Sequence, residues 1–529
     1  MARLLHELIL EQADRRPDAA AVAHRQTVLD YAALASRVQA AACGLLAVGL
    51  KRSERLAVYL PKRLETVVAL FGTAAASGVF VPVNPLLKSE QVAYLLRDCN
   101  VRILVTARDR ADMLNPYLAD CPDLHALVLV DETAASPHRY AVQTLSWPAL
   151  LAVSDSRRPA RAIDVDMAAI LYTSGSTGKP KGVILSHRNM LCGALSVAEY
   201  LDNRPEDRIL AVLPFSFDYG LSQLTTAFVA GARAVLMDYL LPRDIIATVT
   251  REGITGLAAV PPMWVQLAQL DWPAAAADSL RYLTNSGGAM PRATLAALRR
   301  ALPHTAPFLM YGLTEAFRST YLYPDQIDRR PDSIGKAIPN AEILVVREDG
   351  TPCAPGEPGE LVHRGSLVAQ GYWNDPAKTA ERFRPAPGQN PGLPLAELAV
   401  WSGDTVRADE EGFLYFVGRK DDMIKTSGYR VSPTEIEEVL YGSGRVAEAA
   451  ALGIPHPALG QAVVAVVKPL GDGCGASELI NHCKQHLPNF MVPLQIVTRP
   501  DDLPRNPNGK IDRKALAGEL RDLFPESAS

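Results

Sequence analysis

The sequence predicts an α/β protein. It should hold a large N-terminal domain of two doubly wound βαβ subdomains plus a small β-subdomain, followed by a small mobile α+β C-terminal domain. Three observations predict this. Apolar runs of strand length alternate with helix-length segments, in two successive rounds, as far as residue 311. After about residue 340 the runs shorten, alternate in polarity and are split by Gly and Pro, as antiparallel strands are. Finally, the charged break Gly418-Arg-Lys-Asp-Asp422 precedes a stretch with strand and helix signals of its own. The predicted boundaries are 1–417, a hinge at 418–422, and 423–529.

From Asp30, a good N-cap, a helix with apolar faces runs to about Gly49. Strands follow at 55–60, 79–83, 101–106 and 125–131, with a helix to Ser77 and another capped by Ser89 between them. Strands separated by helix-length segments imply parallel pairing. A softer segment, 134–161, comes before the round repeats. Further strands are predicted at 208–214, 232–238, 256–261, 280–285 and 307–311. The β-subdomain supplies 343–347, 360–364 and 414–417, and the last domain a strand at 461–468 and a helix at 478–486.

A chain of 529 residues exceeds what one core usually supports. Its 48% hydrophobic and 21% charged residues are ordinary for a globular protein, and a net charge of −4 argues against a nucleic-acid partner. The seven cysteines are scattered without a Cys-x-x-Cys, which fits a reducing cytoplasm. The uncharged run 66–83 holds Gly72, Gly78 and Pro82 and reads as a buried helix entering a strand, so no membrane span is expected.

The most informative stretch is Ile170-Leu-Tyr-Thr-Ser-Gly-Ser-Thr-Gly-Lys-Pro-Lys-Gly-Val-Ile-Leu-Ser-His187. An apolar run stops at Thr173, Ser174, Gly175, Ser176, Thr177, Gly178 and Lys179; Pro180 and Lys181 follow, and a second apolar run resumes. Glycines let backbone N–H groups approach an anion, hydroxyls add donors, and the lysines add charge. That chemistry suits a polyphosphate. Pro180 after the lysine excludes a Walker loop, which must continue into a helix. A strand–loop–strand phosphate clamp is therefore expected.

Five further motifs follow in order: Asn285-Ser-Gly-Gly-Ala-Met-Pro291, Tyr311-Gly-Leu-Thr-Glu315, Ser402-Gly-Asp404, Gly418-Arg419 through Gly428-Tyr-Arg430, and Pro504-x4-Gly509-Lys510. With the glycine-rich stretch they resemble the motif set of the adenylate-forming enzymes: acyl-CoA synthetases, amino-acid adenylation domains and luciferases. Within that superfamily the chain is most similar to the acyl-CoA ligases associated with exosortase A systems. That likeness lies in Leu213-Pro-Phe-Ser-Phe-Asp-Tyr-Gly220 and Asp238-Tyr-Leu-Leu-Pro-Arg243.

The resemblance implies an ATP-dependent, AMP-forming ligase. It would activate a carboxylic acid as acyl-AMP, release pyrophosphate, and pass the acyl group to a thiol. Lys510 would bridge the carboxylate and the α-phosphate, with Thr173 and Glu315 as its catalytic companions. Glu315 would hold Mg²⁺, a hard cation that wants oxygen. Thr314 would hydrogen-bond a phosphate oxygen, and Tyr311 would stack on adenine. Gly287, Gly288, Ala289 and Gly312 would leave room for the base, while Asp404 and Arg419 would bind the ribose. Asp421 would be the pivot of the small domain, and Gly428, Tyr429 and Arg430 would line a thiol tunnel.

The acid should lie among Phe217, Asp218, Tyr219, Met263 and Gly312. Asp218 stands where amino-acid adenylation domains place the carboxylate that pairs with the substrate ammonium. The alternative is that it caps the helix beginning near Tyr219 and never meets substrate. The substrate is thus a small carboxylic or amino acid. The chain ends nineteen residues after Lys510, so no fused carrier domain is expected and the thiol acceptor is CoA or the phosphopantetheine of a separate acyl carrier protein. A luciferase-like oxygenase would share the first half-reaction, but no residue calls for oxygen chemistry.

Overall fold

The computed structural model describes residues 2–132, 140–153, 159–173, 180–419, 422–426, 429–456, 459–471, 475–487, 489–506 and 509–524. Three sheets organise them. The first has seven strands in the order Gln143–Ser146, Ala126–Leu129, Val101–Thr106, Arg55–Tyr59, Val79–Pro82, Met167–Thr173 and Lys181–Ser186. Every neighbouring pair is parallel except the last. That last pair is the hairpin around the glycine-rich loop, with Thr173 opposite Lys181.

The second sheet has a parallel run in the order Ala306–Tyr311, Tyr282–Asn285, Gly256–Ala259, Arg208–Ala211, Arg233–Leu236 and Ala20–His24. The predicted antiparallel strands are hydrogen-bonded onto it through Thr320–Leu322 and Ser333–Ala337, giving one fourteen-stranded sheet. The third sheet, five strands including Ile424–Thr426 and Gly460–Pro469, belongs to the C-terminal part. Strand Leu414–Arg419 is the last element of the large sheet and Ile424–Thr426 the first of the small one, so residues 418 and 419 of the expected hinge belong to a strand.

Local chemistry explains the elements. Asp30 caps Tyr31–Val48 by accepting from the Ala33 N–H at 2.7 Å, and Gly49 closes it at φ +103°. By length and composition this helix could cross a membrane. In the fold it packs along Leu64–Ala75, where a Cβ on Gly72 would come within 2.8 Å of the Ala41 Cβ. The run expected to be helix then strand is Leu64–Ala75 followed by Val79–Pro82, buried almost throughout.

Two expectations need correction. Ser89 is the first residue of its helix and Lys88 the cap. Part of the soft segment is ordered: strand Gln143–Ser146 extends the first sheet, and Ser146 caps the short helix Trp147–Leu151. Four-residue strands carry too few alternations to stand out from their surroundings.

Candidate active site

Strand order in the second sheet reverses about Arg208–Ala211, with its successor Arg233–Leu236 on one side and Gly256–Ala259 on the other. Ligands of doubly wound sheets bind outside the carboxyl ends of strands at such a point. The segments leaving those ends are 212–218, 260–263, 286–289 and 312–315. They hold Phe217, Asp218, Met263, Gly287, Gly312 and Glu315.

Local packing shapes these segments. Helix Asp218–Ala230 begins against the preceding loop so closely that a Cβ on Gly220 would stand 2.0 Å from the Pro214 carbonyl oxygen. Only glycine fits there. Gly287 has φ +84°, and a Cβ on it would meet Lys510 Cε at 3.3 Å, Val260 Cγ1 at 3.5 Å and Phe217 Cζ at 3.8 Å. The lysine from the small domain therefore enters the cleft of the large one. Its loop is held by Arg505, whose guanidinium bonds Glu448 and donates to the Gly509 carbonyl at 2.9 Å; Lys510 N–H donates to Asn506 Oδ1 at 3.1 Å.

Lys510 is exposed as a residue, while protein atoms crowd its ammonium. That crowding lowers its pKa; Asp218, Asp404 and Glu315 pull it back up and Arg419 lowers it further. The four predicted charges thus converge on one point.

Asp404 and Arg419 face each other across neighbouring antiparallel strands. Arg419 Nε lies 3.0 Å from Asp404 Oδ1, and the Tyr311 hydroxyl donates to Oδ2. The Arg419 contact is too misaligned to be a hydrogen bond, so buried Oδ1 is left an acceptor without a donor. Burial raises the Asp404 pKa, opposed by Arg419 and Tyr311. An orphaned buried carboxylate oxygen fits a hydroxyl donor such as that of a ribose. Tyr311 lies 6.1 Å from the Phe416 ring, its hydroxyl anchored and its ring at the cleft.

Glu315 accepts from the Tyr372 hydroxyl at 2.5 Å on Oε1, and Lys181 Nζ lies 5.2 Å from the centre of the Tyr372 ring. Burial lowers the Lys181 pKa, with Lys378 adding to the effect. A single carboxylate with one oxygen to spare suits Mg²⁺, which binds through one or two carboxylates together with substrate phosphates. Among the described residues no group of three or more His, Cys, Asp or Glu forms a protein-only metal site.

On the acid side the capping alternative for Asp218 fails. Phe217 occupies the cap position, and the buried Asp218 carboxylate accepts from Thr314 Oγ1 at 3.1 Å instead. Burial raises its pKa, against Arg318 and Lys510. Thr314 was expected to donate to a phosphate; here its one proton goes to Asp218. Tyr219 is buried with its hydroxyl 2.5 Å from Thr284 Oγ1, and its ring meets Phe217 edge-on at 6.1 Å. Met263 is buried on helix Pro261–Leu267, while Gly288 and Ala289 are exposed at the cleft.

Several expected site residues lie outside the described residues: Ser174, Gly175, Ser176, Thr177 and Gly178 of the phosphate loop, the pivot Asp421, and Gly428. Tyr429 and Arg430 are described as backbone, in strand Tyr429–Val431. Thr173 is described at the end of its strand. Sequence reasoning missed Tyr372 and Arg318. Arg318 was detectable as the one charge in the run Ala316 to Leu322. A cavity of about 530 Å³ lies on the surface around Arg299, Arg300 and His304, and none of the site residues lines it.

Known proteins resemble this chain in sequence and fold. The profile of the AMP-binding enzyme family matches residues 9–373, and that of the AMP-binding enzyme C-terminal domain matches 435–510. The chain belongs to the AMP-binding enzyme family. Among relatives of this family, a linear gramicidin synthase of Brevibacillus parabrevis is 31% identical over 97% of the chain. The chain spans only 10% of that protein's length. L-Proline–[L-prolyl-carrier protein] ligase of Pseudomonas fluorescens is 30% identical, with 98% of this chain and 99% of the relative covered. The AMP-binding fold is matched by o-succinylbenzoate CoA synthetase of Bacillus subtilis in complex with its acyl-adenylate. There the TM-score is 0.81 at 26% identity, over 96% of this chain and 97% of that one.

Proposed function

We propose that this chain is an AMP-forming acid–thiol ligase that adenylates a carboxylic acid and transfers it to CoA. The observation that carries the reading is Lys510, brought from residue 510 to Gly287 in a cleft that also holds Asp218, Glu315, Asp404 and Arg419. In such a cleft the ammonium would draw the acid carboxylate and the ATP α-phosphate together and offset the charge that grows on the phosphorus oxygens. Asp404 and Arg419 would hold the ribose, Tyr311 and the Gly287–Gly288 backbone the base, and Thr173, Lys181 and the loop after Thr173 the outer phosphates. Glu315 is the residue that would hold Mg²⁺, which supplies further positive charge at the phosphates. The related synthetase has also been solved with ATP and a magnesium ion, at a TM-score of 0.81.

A second reading, an amino-acid adenylating enzyme that loads a separate carrier protein, is favoured by Asp218. A buried carboxylate that does not cap its helix is suited to an ammonium, and the prolyl-carrier-protein ligase covers the same length. The experiment is an ATP–pyrophosphate exchange screen over fatty, aryl and amino acids with wild type and Asp218→Ala, followed by thioester assays with CoA and with carrier protein. Exchange with amino acids, lost in Asp218→Ala, selects the second reading. Exchange with other acids, alike in both proteins, selects the first, and no exchange at all rejects adenylation. We further propose 418–422 as the hinge between domains, with Asp421 its pivot, and a cytoplasmic location.

A further inference from the structure

Among the described residues, the cleft holds a cation to which the proposed half-reactions give no role. Arg318 is only 1% exposed. It follows the turn Thr314–Ala316, and the residue between, buried Phe317, has φ +57° and ψ −54°. A bulky residue in that conformation is strained and marks a position the surroundings enforce. The consequence is that Arg318 runs back along the cleft. A Cβ on Gly312 would stand 3.2 Å from its Cα and 3.5 Å from its Cδ, and its guanidinium carbon is 4.7 Å from the centre of the Tyr219 ring.

A guanidinium carries five N–H donors. Here Nη1 donates to Ser286 Oγ at 3.0 Å, and buried Nε has no partner. Among the described residues, no carboxylate forms an ion pair with it; the nearby Asp218 is bonded to Thr314 instead. Beside the guanidinium is a cavity of about 30 Å³, lined by Tyr219, Ser222, Thr284 and Met310 as well as Arg318. Asp218 acts on the guanidinium only through space, and a buried guanidinium donor left without an acceptor is a cost that an apolar residue of similar size would spare the fold.

Taking the cleft as the acid-activating site proposed above, we infer that Arg318 receives a second oxyanion of the substrate, so that the enzyme activates acids bearing another carboxylate besides the one adenylated. Lys510 faces the reacting carboxylate, and Arg318 faces the far end of the same small molecule. A planar guanidinium fork whose Nε–H lacks a partner matches a carboxylate in shape as well as charge. Asp218 decides a separate matter, whether the acid also carries an amine.

The test uses matched acids in the ATP–pyrophosphate exchange assay, with the full chain: succinate against butyrate, aspartate against 2-aminobutyrate, phthalate against benzoate. In every pair that reacts, the member with two carboxylates should be preferred by at least about tenfold in kcat/KM, since a site built to bind a polar group rejects the analogue lacking it. Arg318→Met should erase or reverse that preference while its thermal midpoint stays level or rises. Arg318→Lys, which keeps the charge and loses the fork, should fall between, and it serves should the methionine variant not fold. Wild-type indifference to the second carboxylate overturns the inference. So does an Arg318→Met protein that keeps the wild-type preference, or one that loses thermal stability without changing it. If exchange occurs without the preference, only this inference falls; if no acid supports exchange, adenylation falls and this inference with it.

Discussion

Lys510 and Asp218 show how single residues are set by their surroundings. The lysine stands among three carboxylates and one arginine, with burial lowering its pKa. Lys510→Ala should reduce ATP–pyrophosphate exchange by roughly 10²–10³-fold, the order found when one stabilising donor is removed from a reacting centre. The variant should still convert a supplied acyl-adenylate to thioester. Equal loss of both activities would remove the lysine from its assigned step. Asp218 titrates above the usual carboxylate range because it is buried. In the unfolded chain it releases its proton at lower pH, so the fold loses stability as pH rises from the ordinary value to the raised one. Asp218→Asn should therefore raise the melting temperature more at pH 7 than at pH 4, read by thermal denaturation at the two pH values.

At the scale of elements, strand ends set the site and buried histidines couple the stability of the fold to pH. His363, in strand Gly359–Gly365, is fully buried with Nδ1 2.9 Å from Ser319 Oγ, and burial pushes its pKa down to about 3. His187, the first residue of helix His187–Tyr200, accepts from the Leu5 N–H at 3.0 Å and is pushed down to about 4. Both are neutral in the fold and would bind protons in the unfolded chain below their ordinary value. Stability therefore falls as pH drops from about 6.5 towards 4. Melting temperature should be lower at pH 5.0 than at 7.5. In His363→Asn, which puts a polar group near the Nδ1 position without titrating, the gap should narrow. An unchanged gap would place the acid sensitivity elsewhere.

For the whole molecule, the small domain supplies Lys510 and the large one Asp218, Gly287, Glu315 and Asp404 around its side chain. Helix Pro433–Gly442 of the small domain lies against helix Arg292–Ala301 of the large one, holding the lysine in the cleft. A reaction of two half-steps needs that lysine for the first and space for a thiol in the second, so a rotation about 418–422 follows as a proposal. Asp421→Pro, which fixes φ at the pivot, should keep pyrophosphate exchange within about threefold and abolish thioester formation. Parallel loss of both would show a folding defect rather than a blocked rotation.

The sequence by itself determined the layers, the order of strands and helices, and the motif residues. Each is written in a short stretch: periodic apolar runs, glycine-rich turns, a lysine after Pro-Asn-Gly. It also carried the identity of the residues that meet at Lys510, because motif spacing is local even where the residues converge from afar. Only the tertiary structure decided what depends on burial and on partners distant in the chain. Tyr372 reaches Glu315 across 57 residues. Asp218 could equally have been a helix cap until Thr314, 96 residues away, was seen to hold it. Arg318 stands out in the sequence only as one charge in the run Ala316 to Leu322; its burial and its partnerless Nε exist only in the fold. The energetic cost of a buried charge exists only in the folded state.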